Sequence, residues 1–229
     1  MFSEPNTIII KTLIPTSEQL EQLDLKPGKN AITFTAKSSM KGYTQIVGKI
    51  FLWDYQKKIV ISDVDGTITK SDVRGHIMPR IGFDWAQKGV VELYNKVNNN
   101  GYAVVYLTAR AIGQASATRS YLEKLKQDDM HLPDGPIVMS PDGLIKSLSR
   151  EIKRKPHEFK ISCLNKIRRL FPSNMRPFFC GFGNRETDTL SYREVGVPEE
   201  NIFIINKAGD LSQNHLAETV PDIVDSPYA

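Results

Sequence analysis

From Tyr55 onward, short apolar segments of strand length alternate with segments of helical periodicity, and this alternation restricts the possible folds more than any other feature. A helix between two strands usually returns the chain to the same edge of the sheet, so that successive strands pair in parallel. The predicted strands cover residues 58–62, 102–107, 136–139, 177–180 and 202–206, and the predicted helices cover 84–99, 112–126, 158–171 and 188–194. We therefore predict an α/β domain with a doubly wound, mostly parallel sheet.

The first 55 residues have a different pattern, in which turn residues separate short strand-like segments. Strands are predicted at 7–13, 30–37 and 44–53, with a turn at 27–30 and a brief turn or helix at 20–25. This pattern is typical of a small all-β module. We therefore expect a β-module over residues 1–55 and an α/β domain over residues 56–229.

Composition restricts the setting in which the chain works. No stretch approaches the roughly 20 apolar residues of a membrane-spanning helix, so we expect a soluble or peripheral protein. Cys163 and Cys180 are expected to be reduced and structural, because no signal-like apolar run opens the sequence. Basic residues are concentrated between Lys146 and Arg176, which fits either a solvated helical face or a surface that attracts anions.

Two carboxylates lie at the end of the first α/β strand, where ligands bind in open α/β sheets. The segment is Asp63-Val64-Asp65-Gly66-Thr67, and Gly66 permits a sharp turn after the strand. A carboxylate such as Asp63 can attack phosphorus and form an aspartyl-phosphate. Because a phosphate monoester is dianionic and repels a carboxylate, this chemistry requires a cation, and Mg²⁺ is the expected one.

Three further segments follow later strands or open the next helix. Thr108 can hold phosphoryl oxygens through its hydroxyl, Lys160 can bring a positive charge, and Asn184 and Asp188 offer oxygen ligands for a metal. Each feature alone has an ordinary explanation, since an Asp-Gly pair is usually a turn and a single lysine is usually solvated. Together, and in this order, they predict a phosphatase site.

These segments resemble the four motifs of the haloacid dehalogenase superfamily, namely Asp-x-Asp, a Thr or Ser, a Lys, and an acidic or amide metal-binding segment. The longer stretch Ile61-Ser62-Asp63-Val64-Asp65-Gly66-Thr67-Ile68-Thr69-Lys70-Ser71-Asp72 is similar to the catalytic region of lipin phosphatidate phosphatases. Matching segments also occur at Gly48-Lys49-Ile50-Phe51-Leu52-Trp53, Gly82-Phe83-Asp84-Trp85, Ala109-Arg110-Ala111-Ile112-Gly113 and Gly183-Asn184-Arg185. The resemblance therefore covers nearly the whole chain.

The resemblance implies a haloacid dehalogenase-like catalytic domain preceded by a partial immunoglobulin-like β-module. It also implies removal of phosphate from phosphatidate to leave diacylglycerol, with Asp63 as nucleophile and Asp65 as the acid and then the base. Thr108 and Lys160 would complete the catalytic set. Mg²⁺ would be held by Asp63, the Asp65 carbonyl, Asn184 and Asp188, and substrate contacts would come from Gly66, Thr67, Ala109 and Arg110.

The expected partner is phosphatidate in an anionic membrane surface, with no nucleic acid. Family resemblance places such a protein in the cytoplasm, peripherally associated with the endoplasmic reticulum or nuclear envelope. Lipins also carry a separate amino-terminal segment that completes the immunoglobulin-like module, and none is visible here, so we expect the module to be incomplete or completed by another chain. Arg74-Gly75-His76-Ile77-Met78 replaces the Leu-x-x-Ile-Leu coregulator motif of animal lipins, which argues against a coregulator role.

The intervals between the motifs leave no room for the cap domain that superfamily members acting on small soluble substrates usually carry. We therefore predict an open, capless site that suits a headgroup presented by a membrane. His76, Trp85 and Arg110 are candidate contacts with the headgroup or interface, although the spacing of Trp85 also fits a core position. Two alternatives stay open: a capless phosphatase acting on phosphoprotein or nucleic-acid ends, and a non-catalytic scaffold that binds membranes or proteins.

Overall fold

The computed structural model describes residues 14–38, 42–70, 85–140 and 156–213. The chain forms two compact units, Met1–Trp53 and Asp54–Ala229, and each is described by itself. Four features lie wholly or partly outside the described residues: the predicted strand at 7–13, His76, the intervals predicted to lack a cap domain, and the basic residues from Lys146 to Lys155. Within the described ranges, no helix is long and apolar enough to cross a membrane.

A short helix and a β-hairpin make up the described part of the first unit. Helix α1 (Ser17–Glu21) begins with a reciprocal cap. Thr16 Oγ1 accepts a hydrogen bond from the Gln19 N–H at 3.3 Å, and Gln19 Oε1 accepts one from the Thr16 N–H at 2.9 Å. Strands β1 (Gly28–Ser38) and β2 (Gly42–Leu52) then pair antiparallel over their full length.

The hairpin has one face that carries Ile32, Phe34, Ile46 and Ile50. Phe34 lies directly opposite Ile46, and the two residues are 59% and 66% exposed. A two-stranded ribbon is marginally stable in water unless another element covers its apolar face. The described residues of this unit therefore show a hairpin with a partly exposed apolar face, and the predicted immunoglobulin-like architecture is not shown by them.

The second unit alternates strands and helices. Its elements in chain order are β3 (Ile59–Asp63), α2 (Val90–Asn99), β4 (Ala103–Ala111), α3 (Ala115–Lys124), β5 (Lys126–Gln127), β6 (Met130–His131), β7 (Ile137–Ser140), α4 (Pro156–Arg168), β8 (Phe178–Gly183), α5 (Glu186–Glu194), β9 (Ile202–Ile205) and β10 (Leu211–Gln213). Six strands form one sheet in the order β10-β9-β8-β3-β4-β7, and β5 and β6 form a separate small hairpin. Neighbouring strands of the sheet are parallel except β10, which is antiparallel to β9. The predicted α/β domain with a mostly parallel sheet is confirmed.

Aromatic side chains fix two helices on the sheet. Tyr94 of α2 packs edge-on against Tyr106 of β4 and Phe182 of β8, with ring centroids 6.3 and 5.6 Å apart. Tyr192 of α5 lies against Gly181 of β8, where an added Cβ would come within 2.4 Å of the ring. Both helices therefore hold fixed positions beside the carboxyl ends of β3 and β8, where the polar residues lie.

Several element boundaries differ from the predicted ones. The helix predicted from residue 84 begins only at Val90, because Gly89 precedes it with a left-handed φ of 74°. Ala86, before that point, forms an isolated antiparallel bridge with Thr69. Strands β5, β6 and β10 were not predicted, since segments of two or three residues are too short to show a hydrophobic period.

Candidate active site

Lys160 lies between two buried carboxylates. Its Nζ donates hydrogen bonds to Asp63 Oδ1 and Asp188 Oδ1, each at 2.5 Å. Asp63 is the last residue of β3, Lys160 lies near the start of α4, and Asp188 lies in the first turn of α5. The three residues are 4%, 6% and 1% exposed, so the charges interact with little screening by solvent. The predicted nucleophile, lysine and one predicted metal ligand thus form one cluster.

The charges of this cluster do not balance. Burial raises the pKa of the Asp63 carboxyl to about 7, the ammonium of Lys160 opposes this rise, and the charge of Asp188 adds to it. Burial alone would lower the pKa of Lys160, but Asp63 and Asp188 together hold it above its usual range. When both carboxyls are ionised, two carboxylates facing one ammonium leave an excess of negative charge in a buried site, which a bound cation would neutralise.

A tight turn follows Asp63 and separates it from the second carboxylate. The N–H groups of Ile68 and Thr69 both donate to the Val64 carbonyl, at 3.0 and 3.1 Å. Gly66 has a φ of 90°, which favours glycine, and its N–H donates to Thr69 Oγ1 at 3.0 Å. The turn therefore fixes the loop that carries Asp65.

A buried hydroxyl pair lies beneath the predicted nucleophile. Ser62 Oγ donates to the Asp63 carbonyl at 2.8 Å, and it lies 2.5 Å from the Tyr94 hydroxyl. Because Ser62 has a single hydroxyl hydrogen, which the Asp63 carbonyl receives, Tyr94 is the donor to Ser62. Sequence reasoning missed both residues, since Ser62 lies within a strand and Tyr94 fits ordinary helical periodicity.

Asp65 is held by residues from β4. Thr108 Oγ1 donates to Asp65 Oδ2 at 2.8 Å. Arg110 Nε lies 3.0 and 3.1 Å from the two carboxylate oxygens, and Arg110 Nη2 donates to Oδ1 at 2.6 Å. The backbone N–H of Arg110 also donates to Thr108 Oγ1 at 3.1 Å. The hydroxyl predicted to hold phosphoryl oxygens therefore bonds the second carboxylate in this structure.

Tyr121 of α3 lies near this second group and was also missed by sequence reasoning. Its hydroxyl is buried and has no hydrogen-bond partner among the described residues. Burial raises the pKa of Tyr121, and the charges of Arg110 and Asp65 also act on it. No local signal distinguishes this tyrosine, because it occupies an ordinary position in a helical pattern.

The loop between β8 and α5 holds the remaining predicted ligands. Asp188 Oδ2 accepts hydrogen bonds from the N–H groups of Asn184 and Arg185, at 3.0 and 3.1 Å. Gly183 leaves room for Asp188, since a Cβ on Gly183 would come within 2.4 Å of the Asp188 Cβ. Both oxygens of Asp188 are therefore engaged, one by Lys160 and the other by the backbone.

The donor set fits a hard divalent cation such as Mg²⁺. Asp63, Asp188, the Asn184 side chain and the Asp65 carbonyl offer oxygen atoms, and the cluster around Lys160 carries excess negative charge. The described residues include no group of three or more His, Cys, Asp or Glu side chains that could hold a metal. A magnesium site here would therefore combine two carboxylates with amide and carbonyl oxygens.

Other predicted site residues have the following positions. Thr67 is buried, and its hydroxyl has no partner among the described residues, whereas Ala109 is exposed. Trp85 is half-buried, with a buried indole N–H that lacks a partner within the described ranges. Lys160 does not belong to the basic surface on which it was grouped, because it is buried between two carboxylates.

The remaining described members of that surface are exposed, but they lie away from the site. Lys166 and Arg168 occupy the last turns of α4, and Arg169 and Arg176 lie in the connection to β8. Their exposure is compatible with both interpretations of the basic segment, a solvated helical face and a surface that attracts anions. The helix runs from the site toward the opposite end of the sheet.

Comparison with known proteins identifies the family. Residues 11–223 match the LNS2 (Lipin/Ned1/Smp2) family. The chain belongs to this lipin family. It is 53% identical over 212 residues to phosphatidate phosphatase PAH1 of Arabidopsis thaliana, covering 92% of this chain and 24% of that protein. It is 45% identical over 221 residues to phosphatidate phosphatase LPIN1 of Homo sapiens, covering 96% of this chain and 25% of that protein.

A third lipin-family relative is phosphatidic acid phosphohydrolase 1 of Saccharomyces cerevisiae, 46% identical over 213 residues, with 88% of this chain and 24% of that protein covered. The chain thus spans about a quarter of the length of these relatives. The lipin resemblance inferred from the motifs is confirmed. The matched region contains every described residue of the cluster around Lys160 and of the group around Asp65.

Proposed function

We propose that this chain carries the active site of a magnesium-dependent phosphatidate phosphatase, which hydrolyses phosphatidate to diacylglycerol and phosphate at a membrane surface. The observation that carries the proposal is the buried cluster in which Lys160 binds Asp63, the last residue of β3. Two residues further along the chain, the carboxylate of Asp65 is hydrogen-bonded by Thr108 and Arg110. Membership of a family whose relatives are named phosphatidate phosphatases supports the choice of substrate.

The proposed reaction has two steps. In the first, a carboxylate oxygen of Asp63 bonds to phosphorus, the bond between phosphorus and the glycerol oxygen breaks, and Asp65 gives a proton to the leaving oxygen. In the second, Asp65 takes a proton from water as the water oxygen attacks phosphorus, and the bond to Asp63 breaks. Phosphate leaves, Asp63 is again a free carboxylate, and Asp65 is again protonated, as the first step requires it to be.

The other residues of the site hold these two carboxylates. Lys160 keeps Asp63 at the end of β3, and Thr108 and Arg110 hold Asp65 in the loop beyond it. Gly66, Thr67 and Ala109 lie in the segments that would surround the phosphoryl group. Asp63, Asp188, Asn184 and the Asp65 carbonyl would hold Mg²⁺, which would neutralise the negative charge of the phosphate ester when bound.

We further propose a capless haloacid dehalogenase-like domain that is open to a membrane. The protein would act in the cytoplasm, peripherally on the endoplasmic reticulum or nuclear envelope. The first unit would be part of an immunoglobulin-like module completed by a further segment, of the same or another chain. The exposed Phe34 and Ile46 support this, because a hairpin with one apolar face needs an element that covers it.

The central experiment measures phosphate release from phosphatidate in mixed micelles, with and without Mg²⁺. Asp63→Asn should lower the rate at least about a thousandfold, because no carboxylate is left to form the intermediate. Asp129→Asn is the matched control, since Asp129 is an exposed carboxylate in a surface ion pair, and it should keep the wild-type rate. Magnesium-independent release, or full activity of Asp63→Asn, would refute the mechanism.

A further inference from the structure

The guanidinium of Arg110 pairs with a carboxylate of the protein itself, that of Asp65. Its Nε and Nη2 both donate to Asp65, and the two side chains are 9% and 20% exposed. We propose that Arg110 is a positioning residue that fixes the carboxyl plane of Asp65 for proton transfer to the leaving glycerol oxygen. This inference rests on the proposed function, because it requires Asp65 to be the acid of the first step.

Asp65 needs such support because the strand does not hold it. It lies two residues beyond the end of β3, in the turn that contains Gly66 with a φ of 90°. A carboxylate in a turn can rotate about its χ angles, so a donor elsewhere must fix its plane. The fork of a guanidinium does this, because its coplanar N–H groups define the plane of the carboxylate they bind.

The end of strand β4 places Arg110 within hydrogen-bond distance of Asp65. Strand β4 continues beyond Thr108 to Ala111, and its register with β7 shifts between those two residues. Such irregularities often redirect side chains beside active sites. Thr108 and Arg110, two residues apart, both donate to Asp65, and the Arg110 N–H donates to Thr108 Oγ1. The Thr108-Ala109-Arg110 segment therefore acts as one clamp on Asp65.

The positioning role differs from headgroup binding in its kinetic consequences. A residue that binds the phosphate affects all phosphate monoesters alike and changes KM. A residue that orients the acid affects kcat, and does so most when the leaving oxygen needs a proton. The alkoxide of diacylglycerol needs one, whereas p-nitrophenolate leaves without it.

The experiment compares Arg110→Gln and Arg110→Lys with Arg169→Gln, an exposed arginine beyond the end of α4. We expect Arg110→Gln to lower kcat on short-chain phosphatidate about tenfold or more, with KM nearly unchanged and kcat on p-nitrophenyl phosphate lowered less than about threefold. Lysine should not restore the lost rate, since it has no planar fork. Equal losses on both substrates, or a loss confined to KM, would overturn the proposal in favour of phosphate binding.

A double-mutant cycle with Asp65→Asn tests whether Arg110 acts through Asp65. In the Asp65→Asn background, Arg110→Gln should change kcat on phosphatidate by less than about twofold. An undiminished effect in that background would refute the positioning role. If the wild-type protein released no phosphate from phosphatidate, the proposed function itself would fail.

A spectroscopic measurement that does not depend on enzyme activity tests the contact between Arg110 and Asp65 directly. The side-chain Nε–H resonance of Arg110, assigned by its loss in Arg110→Lys, should shift and exchange faster with water in Asp65→Asn. The corresponding resonance of Arg169 should stay unchanged. If the chemical shift and exchange rate of the Arg110 Nε–H were the same in Asp65→Asn as in the wild type, the pair would not form in solution, whatever the activity of the enzyme.

Discussion

At the scale of single residues, Lys160 is expected to stabilise the site on which the proposed chemistry depends. It is the ammonium between Asp63 and Asp188, and all three groups are buried. An isolated buried carboxylate is far less stable than a paired one, because desolvation is no longer offset by attraction to an opposite charge. The lysine should therefore be needed for folding in the absence of metal.

Lys160→Met tests this role. We expect the free energy of unfolding at neutral pH to fall by about 3 to 5 kcal/mol, because two buried carboxylates lose their shared partner. Lys166→Met is the control, since Lys166 lies exposed on the same helix and should change stability by less than about 0.5 kcal/mol. Urea unfolding of metal-free protein measures both, and equal stability of the two variants would contradict the prediction.

Tyr94→Phe tests the buried hydroxyl pair. The change leaves the ring contacts with Tyr106 and Phe182 but removes the donor to Ser62. We expect a loss of about 1 kcal/mol in unfolding free energy. Phosphate release should also fall several-fold, because Ser62 holds the carbonyl of Asp63. Tyr102→Phe serves as the control, since the Tyr102 ring packs against Phe179 in a tilted arrangement, and an equal loss of activity there would argue against a specific role.

At the scale of elements, the sequence predicted the longer strands and helices and their alternation. It did not predict the side-chain pairs that form only through tertiary contacts. The apolar segment before Asp63 was predicted as a strand and forms β3, and the pattern of alternating elements predicted the parallel sheet. The motif spacing placed Lys160 near Asp63. The pairing of Arg110 with Asp65 was not predicted, because Arg110 lies in the irregular end of β4, where the register shifts, and no sequence pattern reveals such an irregularity. Tyr121 and Ser62 carry no local signal.

The loop between β8 and α5 yields a prediction at this scale. Gly183→Ala would place a Cβ within 2.4 Å of the Asp188 Cβ, so α5 must shift away from β8. We expect a loss of about 1 to 3 kcal/mol in stability, together with loss of most phosphate release, because Asp188 moves relative to Lys160.

Gly181→Ala is the comparison variant. It causes a similar overlap, but with the ring of Tyr192, whose hydroxyl donates to the Phe182 carbonyl, and not with the Asp188 side chain that Lys160 binds. Its stability should fall by a similar amount, while phosphate release per folded molecule should fall less than in Gly183→Ala. Thermal unfolding and single-turnover assays separate the two effects, and identical activity losses in both variants would contradict the assignment.

At the scale of the α/β unit, the direction of α4 divides the basic residues between two ends of the sheet. Lys160 lies in the site at the carboxyl end of β3. Arg176 lies next to Pro177, whose carbonyl accepts a hydrogen bond from the N–H of Ile59, the first residue of β3. Under the proposed function, Arg168 and Arg169, at the other end of α4, would therefore lie away from a membrane that presents a headgroup to Asp63.

The last prediction follows from this division. Reversing charge at Arg168, Arg169 and Arg176 together should change phosphate release from anionic vesicles by less than about twofold. Reversing charge at Lys153, Arg154 and Lys155, which precede α4 in sequence, should lower it about tenfold or more, since each cation near a bilayer contributes about 1 kcal/mol. Release from detergent-dispersed phosphatidate should stay the same in both triple variants, and raising salt should weaken vesicle activity of the wild type. If the first triple variant loses vesicle activity and the second keeps it, the membrane faces the opposite end of the sheet, and an open site at the carboxyl end of β3 cannot be the lipid-facing one.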